Sequence, residues 1–160
     1  MLNITVLCVG KLKESFYIAA VREYEKRLKG YCKLTLLELP EEKLPNVPSQ
    51  AQINAALEKE AQAIFSKLPK RATLVALCIE GKELSSEQLA QKFQQWATSG
   101  VSAIALVIGS SYGLHPLVKQ QAALRLSMSP MTFPHHLARV MLLEQVYRAF
   151  KINEGSLYHK

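Results

Sequence analysis

Stretches that stay apolar from one residue to the next, without alternation, limit this chain more than any other feature. Ala103-Ile104-Ala105-Leu106-Val107-Ile108 is one such run, and Ala72 to Ile79 is another. A strand wet on one face alternates polar and apolar residues, whereas a strand apolar throughout is covered on both faces. Both runs fall far short of the roughly 20 residues a helix needs to cross a bilayer. They fit inner strands of a parallel sheet with helices on each side. Leu2 to Val9 adds a first strand and Lys33 to Leu39 a second. Between the strands, Tyr17, Ala20, Val21, Tyr24 and Leu28 recur at helical spacing. So do Ile53, Leu57, Ala61, Ile64 and Leu68, and then Leu89, Phe93 and Trp96. Ser49 with Gln52, and Ser85 with Gln88, have the spacing of capping boxes. Pro116 suits the first position of a short helix. Glu80-Gly81-Lys82 reads as a tight turn after the third strand. Leu124 to Met128 is a short fifth strand, and a long helix runs from Pro134 to about Gly155. The order β-α-β-α-β-α-β-α-β-α has no linker or repeat, so one α/β domain over residues 1–160 is expected, with a mostly parallel sheet flanked by helices.

Composition narrows the class. A hydrophobic fraction of 49% excludes a disordered chain. Twenty Lys and Arg against 13 Asp and Glu give a formal charge of +7, which favours a polyanionic partner, most commonly nucleic acid. Cys8, Cys32 and Cys78 are odd in number and widely spaced, which argues against a disulfide framework or a zinc site. The four histidines have no metal-ligand spacing either. The amino terminus has no basic segment and no cleavage site, so no targeting peptide is read and the cytoplasm is the expectation.

Two loops carry the chemistry. Val107-Ile108-Gly109-Ser110-Ser111-Tyr112-Gly113 ends a buried strand, and open α/β sheets bind ligands at such ends. Its spacing is neither that of a dinucleotide fingerprint nor that of a P-loop, which leaves a nucleotide-hydrolysing role little support. Gly109 permits close approach to the backbone and Gly113 frees a strained turn; an ordinary connection accounts for both equally well. Ser127-Met128-Ser129-Pro130-Met131-Thr132-Phe133-Pro134 has little propensity for helix or strand, so it leaves main-chain groups free. Those groups suit the edge of an adenine, with Met128, Met131 or Phe133 packing its ring. The bland reading is a plain strand-to-helix connection. On the last helix, Arg148 one turn beyond Glu144 reads as a structural ion pair, or Arg139, Glu144 and Arg148 together read as a polar stripe that meets substrate phosphates or a partner chain. His135 and His136 read as surface or packing residues.

Several blocks resemble one bacterial family. They are Val9-Gly10-Lys11-Leu12-Lys13, Leu77-Cys78-Ile79-Glu80-Gly81-Lys82, Val107-Ile108-Gly109, Met131-Thr132-Phe133-Pro134-His135 with Arg139-Val140, Glu144-Gln145-Val146-Tyr147-Arg148-Ala149-Phe150, and the closing Tyr158-His159-Lys160. The sequence is similar to the ribosomal RNA large subunit methyltransferase H family, of the SPOUT class. That resemblance implies a carboxyl-terminal trefoil knot. It implies S-adenosylmethionine as cofactor, without a metal, and methylation of nitrogen 3 of a pseudouridine in 23S rRNA by a homodimer acting on the ribosome. The cofactor contacts it implies are Leu77, Gly109, and Met128, Ser129, Pro130, Met131, Thr132 and Phe133.

The sequence departs from the family pattern at Ser110, Glu154 and Leu157, where a second glycine, an arginine and a proline are usual. A side chain at Ser110 either crowds the cofactor or points away. The expected tasks of the enzyme are alignment and removal of the proton on nitrogen 3. Tyr158 or His159 of the tail, from its own or the partner chain, is expected to complete the acceptor pocket, with Arg139 and Arg148 holding phosphates or developing charge. Lys11, Lys13, Lys26, Arg27, Lys29 and Lys33 are candidate RNA contacts. The last helix, through Leu137, Met141 and Tyr147, is the expected dimer face. Two other readings compete: a non-catalytic, basic ribosome-binding factor, and a SPOUT methyltransferase acting on tRNA.

Overall fold

The computed structural model describes residues 1–159; Lys160, the last residue of the closing block, lies outside them. Five strands, β1 (Leu2–Val9), β2 (Cys32–Leu39), β3 (Thr73–Glu83), β4 (Ala103–Ile108) and β5 (Leu124–Ser127), form one sheet in the order β2-β1-β4-β3-β5. Every neighbouring pair is parallel. The helices between them are α1 (Ser15–Leu28), α2 (Gln50–Lys67), α3 (Ser86–Thr98) and α4 (Pro116–Gln121), and α5 (His135–Asn153) follows β5.

The unbroken apolar runs are explained by two cores, one on each face of the sheet. Ile4, Val6, Cys8, Ile104, Leu106 and Ile108 face Val21 of α1, Phe93 of α3 and Leu142, Leu143 and Val146 of α5. Leu7, Val9, Ala105 and Val107 face Ala61 and Ile64 of α2 and Val118 of α4. Strand β4 therefore has no residue that can be polar between Ile104 and Ile108, and all five are buried. Each such leucine or isoleucine contributes about 1.5–3 kcal/mol of transfer free energy.

Both serine caps form as the spacing predicts. Ser49 Oγ accepts from the Gln52 amide at 3.2 Å while Gln52 Oε1 accepts from the Ser49 amide at 2.9 Å, and Ser85 and Gln88 repeat the pattern at the same distances. Pro116 opens α4 as expected.

Strand β3 departs from the reading. It does not end at Ile79 in a tight turn. Its ladder to β5 breaks after Leu77 and resumes at Lys82, so the residues between bulge out and the strand continues to Glu83. Glycine is required within the bulge: a Cβ on Gly81 would lie 2.8 Å from the Arg125 backbone. Periodicity carries no signal for a bulge, and Glu80-Gly81-Lys82 has turn composition either way.

Candidate active site

The β3 bulge, the loop after β4 and the segment after β5 all leave the sheet at its carboxyl end, and they enclose one cleft. Its volume is about 370 Å³. Sites for small ligands run from roughly 300 to 1,000 Å³. Leu77, Cys78, Ile79 and Glu80 form one wall, Ile108 to Leu114 the second, and Met128, Ser129, Met131, Thr132 and Phe133 the third. Seven of the eight residues named for the cofactor line it, Leu77, Gly109, Met128, Ser129, Met131, Thr132 and Phe133; Pro130 does not.

The loop after β4 is fixed by its own backbone. Gly113 has φ +82, the left-handed conformation expected of it. Its amide donates to the Ser110 carbonyl at 2.8 Å. A Cβ on Gly109 would lie 2.2 Å from the Gly113 carbonyl oxygen. The close approach that Gly109 permits is thus to the chain itself. Ser110 does not crowd the cleft with its hydroxyl, which donates to Glu60 Oε1 of α2 at 3.0 Å. Glu60 Oε2 accepts the Glu42 amide at 3.0 Å. Burial pushes the Glu60 carboxyl above its ordinary range; these two hydrogen bonds offset part of that, and the Glu41 and Glu42 charges add to it. After β5, Ser127 Oγ donates to the Ser129 carbonyl at 3.1 Å and the Met131 amide donates to Ser129 Oγ at 3.0 Å. These local bonds hold the third wall without helix or strand.

The lining is mixed. Leu77, Ile108, Leu126, Met128 and Phe133 offer apolar surface, while Glu80 and Lys119 pair at the cleft as opposite charges. A group with a flat heterocycle and an amino-acid zwitterion fits that combination. Burial pushes the Cys8 thiol up to about 12 and the Cys32 thiol up to about 11, which disfavours the thiolate at both. Among the described residues no group of three or more His, Cys, Asp or Glu is arranged to hold a metal ion. No helix among them is long and apolar enough to cross a membrane.

The structure does not bring the three residues read as catalytic to this cleft. Arg139 is buried at 4% exposure. Its Nη1 donates to Glu38 Oε2 at 2.8 Å and its Nη2 to the Gly10 carbonyl at 3.0 Å. Tyr158 and His159 lie against α5 and α3 of their own chain. Tyr158 Oη donates to Glu144 Oε2 at 3.0 Å. His159 Nδ1 is 3.3 Å from Arg148 Nη1 and its Nε2 is 2.6 Å from Glu87 Oε1. The arginine can only donate, so Nδ1 is the acceptor and the ring proton sits on Nε2. Glu154 pairs with Lys151 at 2.8 Å and accepts from Tyr31 Oη at 3.2 Å, so its negative charge is locally matched.

His135 is what the sequence reading missed. It lines the cleft, half-buried, at the first turn of α5. Burial, with His136 adding to the effect, lowers its pKa, so its imidazole is neutral near pH 7. Its position directly after the Met128–Pro134 segment was the available signal, but the spacing of one histidine does not reveal which cavity it enters.

A parallel α/β sheet with a cleft built from loops at its carboxyl end defines a ligand-binding class of protein. Over residues 2–159 the chain matches the family described as predicted SPOUT methyltransferase, and it belongs to that family. Two solved structures agree in fold. A probable methyltransferase from Bordetella pertussis Tohama I is 13% identical with TM-score 0.59, covering 93% of this chain and 95% of that one. A probable methylase family protein from Haemophilus influenzae Rd KW20 is 14% identical with TM-score 0.55, covering 99% and 71%. A ribosomal RNA small subunit methyltransferase E from Neisseria gonorrhoeae, solved bound to S-adenosyl methionine, is 13% identical with TM-score 0.47, covering 89% and 64%.

Proposed function

We propose that this protein methylates nitrogen 3 of a pseudouridine in 23S rRNA of the large ribosomal subunit, with S-adenosylmethionine as donor and as a homodimer. One observation carries the reading. Three segments far apart in the chain, which the family resemblance marks for the cofactor, converge on a single cleft of suitable size and mixed polarity. Membership of the SPOUT methyltransferases and the +7 charge support a nucleic-acid acceptor.

The donor's activated methyl group requires no metal. Met128, Met131 and Phe133 would pack its flat ring, and free main-chain groups of the same segment would read the ring edge. Glu80 and Lys119 would exchange their mutual pair for its ammonium and carboxylate. Leu137, Met141 and Tyr147 remain partly exposed along α5, which suits a symmetric helix-on-helix contact. In such a dimer the Tyr158–His159 tail of one chain can reach the cleft of the other. A trefoil knot is part of the same reading. It rests on the family resemblance.

Incubation with methyl-labelled S-adenosylmethionine and large ribosomal subunits tests this. Label on one pseudouridine of 23S rRNA is the expected result, read by mass mapping. Label on tRNA alone would choose the tRNA enzyme, and absence of calorimetric heat with the donor would choose the binding factor.

A further inference from the structure

Beside the donor cleft lies a larger hollow of about 610 Å³. Its walls are Lys11, Lys13 and Glu14, the end of β2 with Glu38 and Glu41, and His135 and His136 of α5. His135 lines both cavities, so they adjoin at this residue. Gly10 lies at the centre with φ +105. A Cβ there would sit 3.4 Å from His135 Nε2, 3.5 Å from Glu41 Oε2 and 3.8 Å from His136 Nε2. Three polar side-chain atoms therefore converge on one bare stretch of backbone.

Charge within the hollow is sorted. Arg139 holds Glu38 at 2.8 Å, and His136 faces Glu14 at 3.4 Å. No ion pair among the described residues engages Lys11, Lys13 or Glu41. Two exposed cations are thus left at one side and one carboxylate acceptor at the other. Helix α5 starts here with no side-chain cap, so its positive end adds to the potential.

We propose that this hollow seats the nucleotide that is methylated. A uracil-type base enters the hollow beside this cluster, with a ring N–H toward Glu41 and an edge against His135, and its flanking phosphates lie on Lys11 and Lys13. The inference rests on the methyl-transfer reading above and places the acceptor for it. A uracil ring fits better than adenine because a carboxylate accepts from ring N–H groups and repels ring nitrogen acceptors.

The test is an amide chemical-shift titration of the full chain with uridine 5′-monophosphate, in the presence of S-adenosylhomocysteine. Shifts should cluster at Gly10, Lys11, Glu41, His135 and His136. Adenosine 5′-monophosphate should give a weaker response there. The double variant Lys11→Glu/Lys13→Glu should bind uridine 5′-monophosphate roughly tenfold more weakly, with its salt dependence reduced. A footprint elsewhere, no footprint, or unchanged binding by the double variant overturns the proposal. Labelled methyl transfer to large subunits by the unaltered protein is measured alongside. Transfer without a footprint at the hollow removes this seat and keeps the enzyme, whereas a footprint without transfer to any RNA removes the enzyme and keeps a nucleotide site.

Discussion

Arg139 and Arg148 lie on the same helix and look alike in the sequence, yet the structure puts them to opposite uses. Arg139 is buried and its fork is divided between a carboxylate on β2 and a carbonyl after β1, so it ties α5 to two strands. Its Nε, also buried, has no hydrogen-bond partner among the described residues. Arg148 is partly open. It pairs with Glu144 at 2.6 Å, lies 4.7 Å from the centre of the Tyr158 ring and touches His159. The first arginine joins elements that are already packed. The second organises a surface that continues outward, and only such a cation can be handed to a partner or to RNA.

The sharpest way to break this contrast is Arg139→Met. It removes two charge-assisted hydrogen bonds, one to the half-open Glu38, and leaves the Gly10 carbonyl without its donor. A loss of roughly 2–3 kcal/mol is expected, since hydrogen bonds to charged groups contribute about 1.5–3 kcal/mol each and Glu38 can partly rehydrate. Arg139→Lys should recover less than half, because one ammonium cannot span both acceptors. Chemical denaturation midpoints check both. Arg148→Met should cost about 1 kcal/mol or less in stability, since its pair is an i,i+4 contact at the surface. It should nevertheless lower methyl transfer at least tenfold. Equal stability losses for the two arginines would end the distinction.

Acid sharpens the same contrast through two carboxylates. Burial acts to raise Glu38, but the Arg139 guanidinium and the Leu12 amide outweigh it and hold the group below its ordinary 4.5. A lowered carboxyl contributes stability that is complete above the unfolded value and is lost as pH falls through the folded one. Glu60 has the opposite sign: its raised value costs stability at neutral pH, and that cost is lost as pH falls through the raised folded value and is gone below the unfolded 4.5. Glu38→Gln should therefore flatten the loss of stability in acid, and Glu60→Gln should steepen it. Denaturation midpoints from about pH 7 down to about pH 3 decide the signs; parallel curves for the two variants would contradict them.

The residue pattern carried most of the fold. Unbroken runs at β3 and β4 declared strands buried on both faces, and Ser49 and Ser85 declared helix starts to the residue. What failed was local to the site. The β3 bulge arises where Gly81 meets the Arg125 backbone, a tertiary approach with no period of its own. The cleft was legible as two glycine- and proline-marked loops, and the resemblance marked Leu77 of the remaining wall, but the rest of that wall, Cys78 to Glu80, was concealed by the bulge. Arg139 was read as a phosphate or charge holder, and its burial against Glu38 and Gly10 was not legible because its acceptors lie on strands far away in the chain. His135 was passed over for the converse reason, since neither partner nor cavity is visible from one histidine beside another.

The smallest structural effect belongs to the tail, and its smallness is informative. Deleting Tyr158 to Lys160 removes the Tyr158 bond to Glu144, the ring beneath Arg148 and the His159 contact with Glu87. Glu144 and Arg148 keep each other, and water replaces what the tail supplied, so a stability change of about 0.5–1 kcal/mol is expected. Calorimetric affinity for S-adenosylmethionine should change less than about twofold, because neither Tyr158 nor His159 lines the cleft of its own chain. Methyl transfer should fall at least a hundredfold if the partner's tail closes the acceptor site. Mixing the truncated chain with one that carries an intact tail and an inactivating Gly109→Ala change then restores activity in mixed dimers, at most one competent site each. That restoration separates a tail acting across the dimer from one acting within a chain, where no mixture of the two variants can recover turnover.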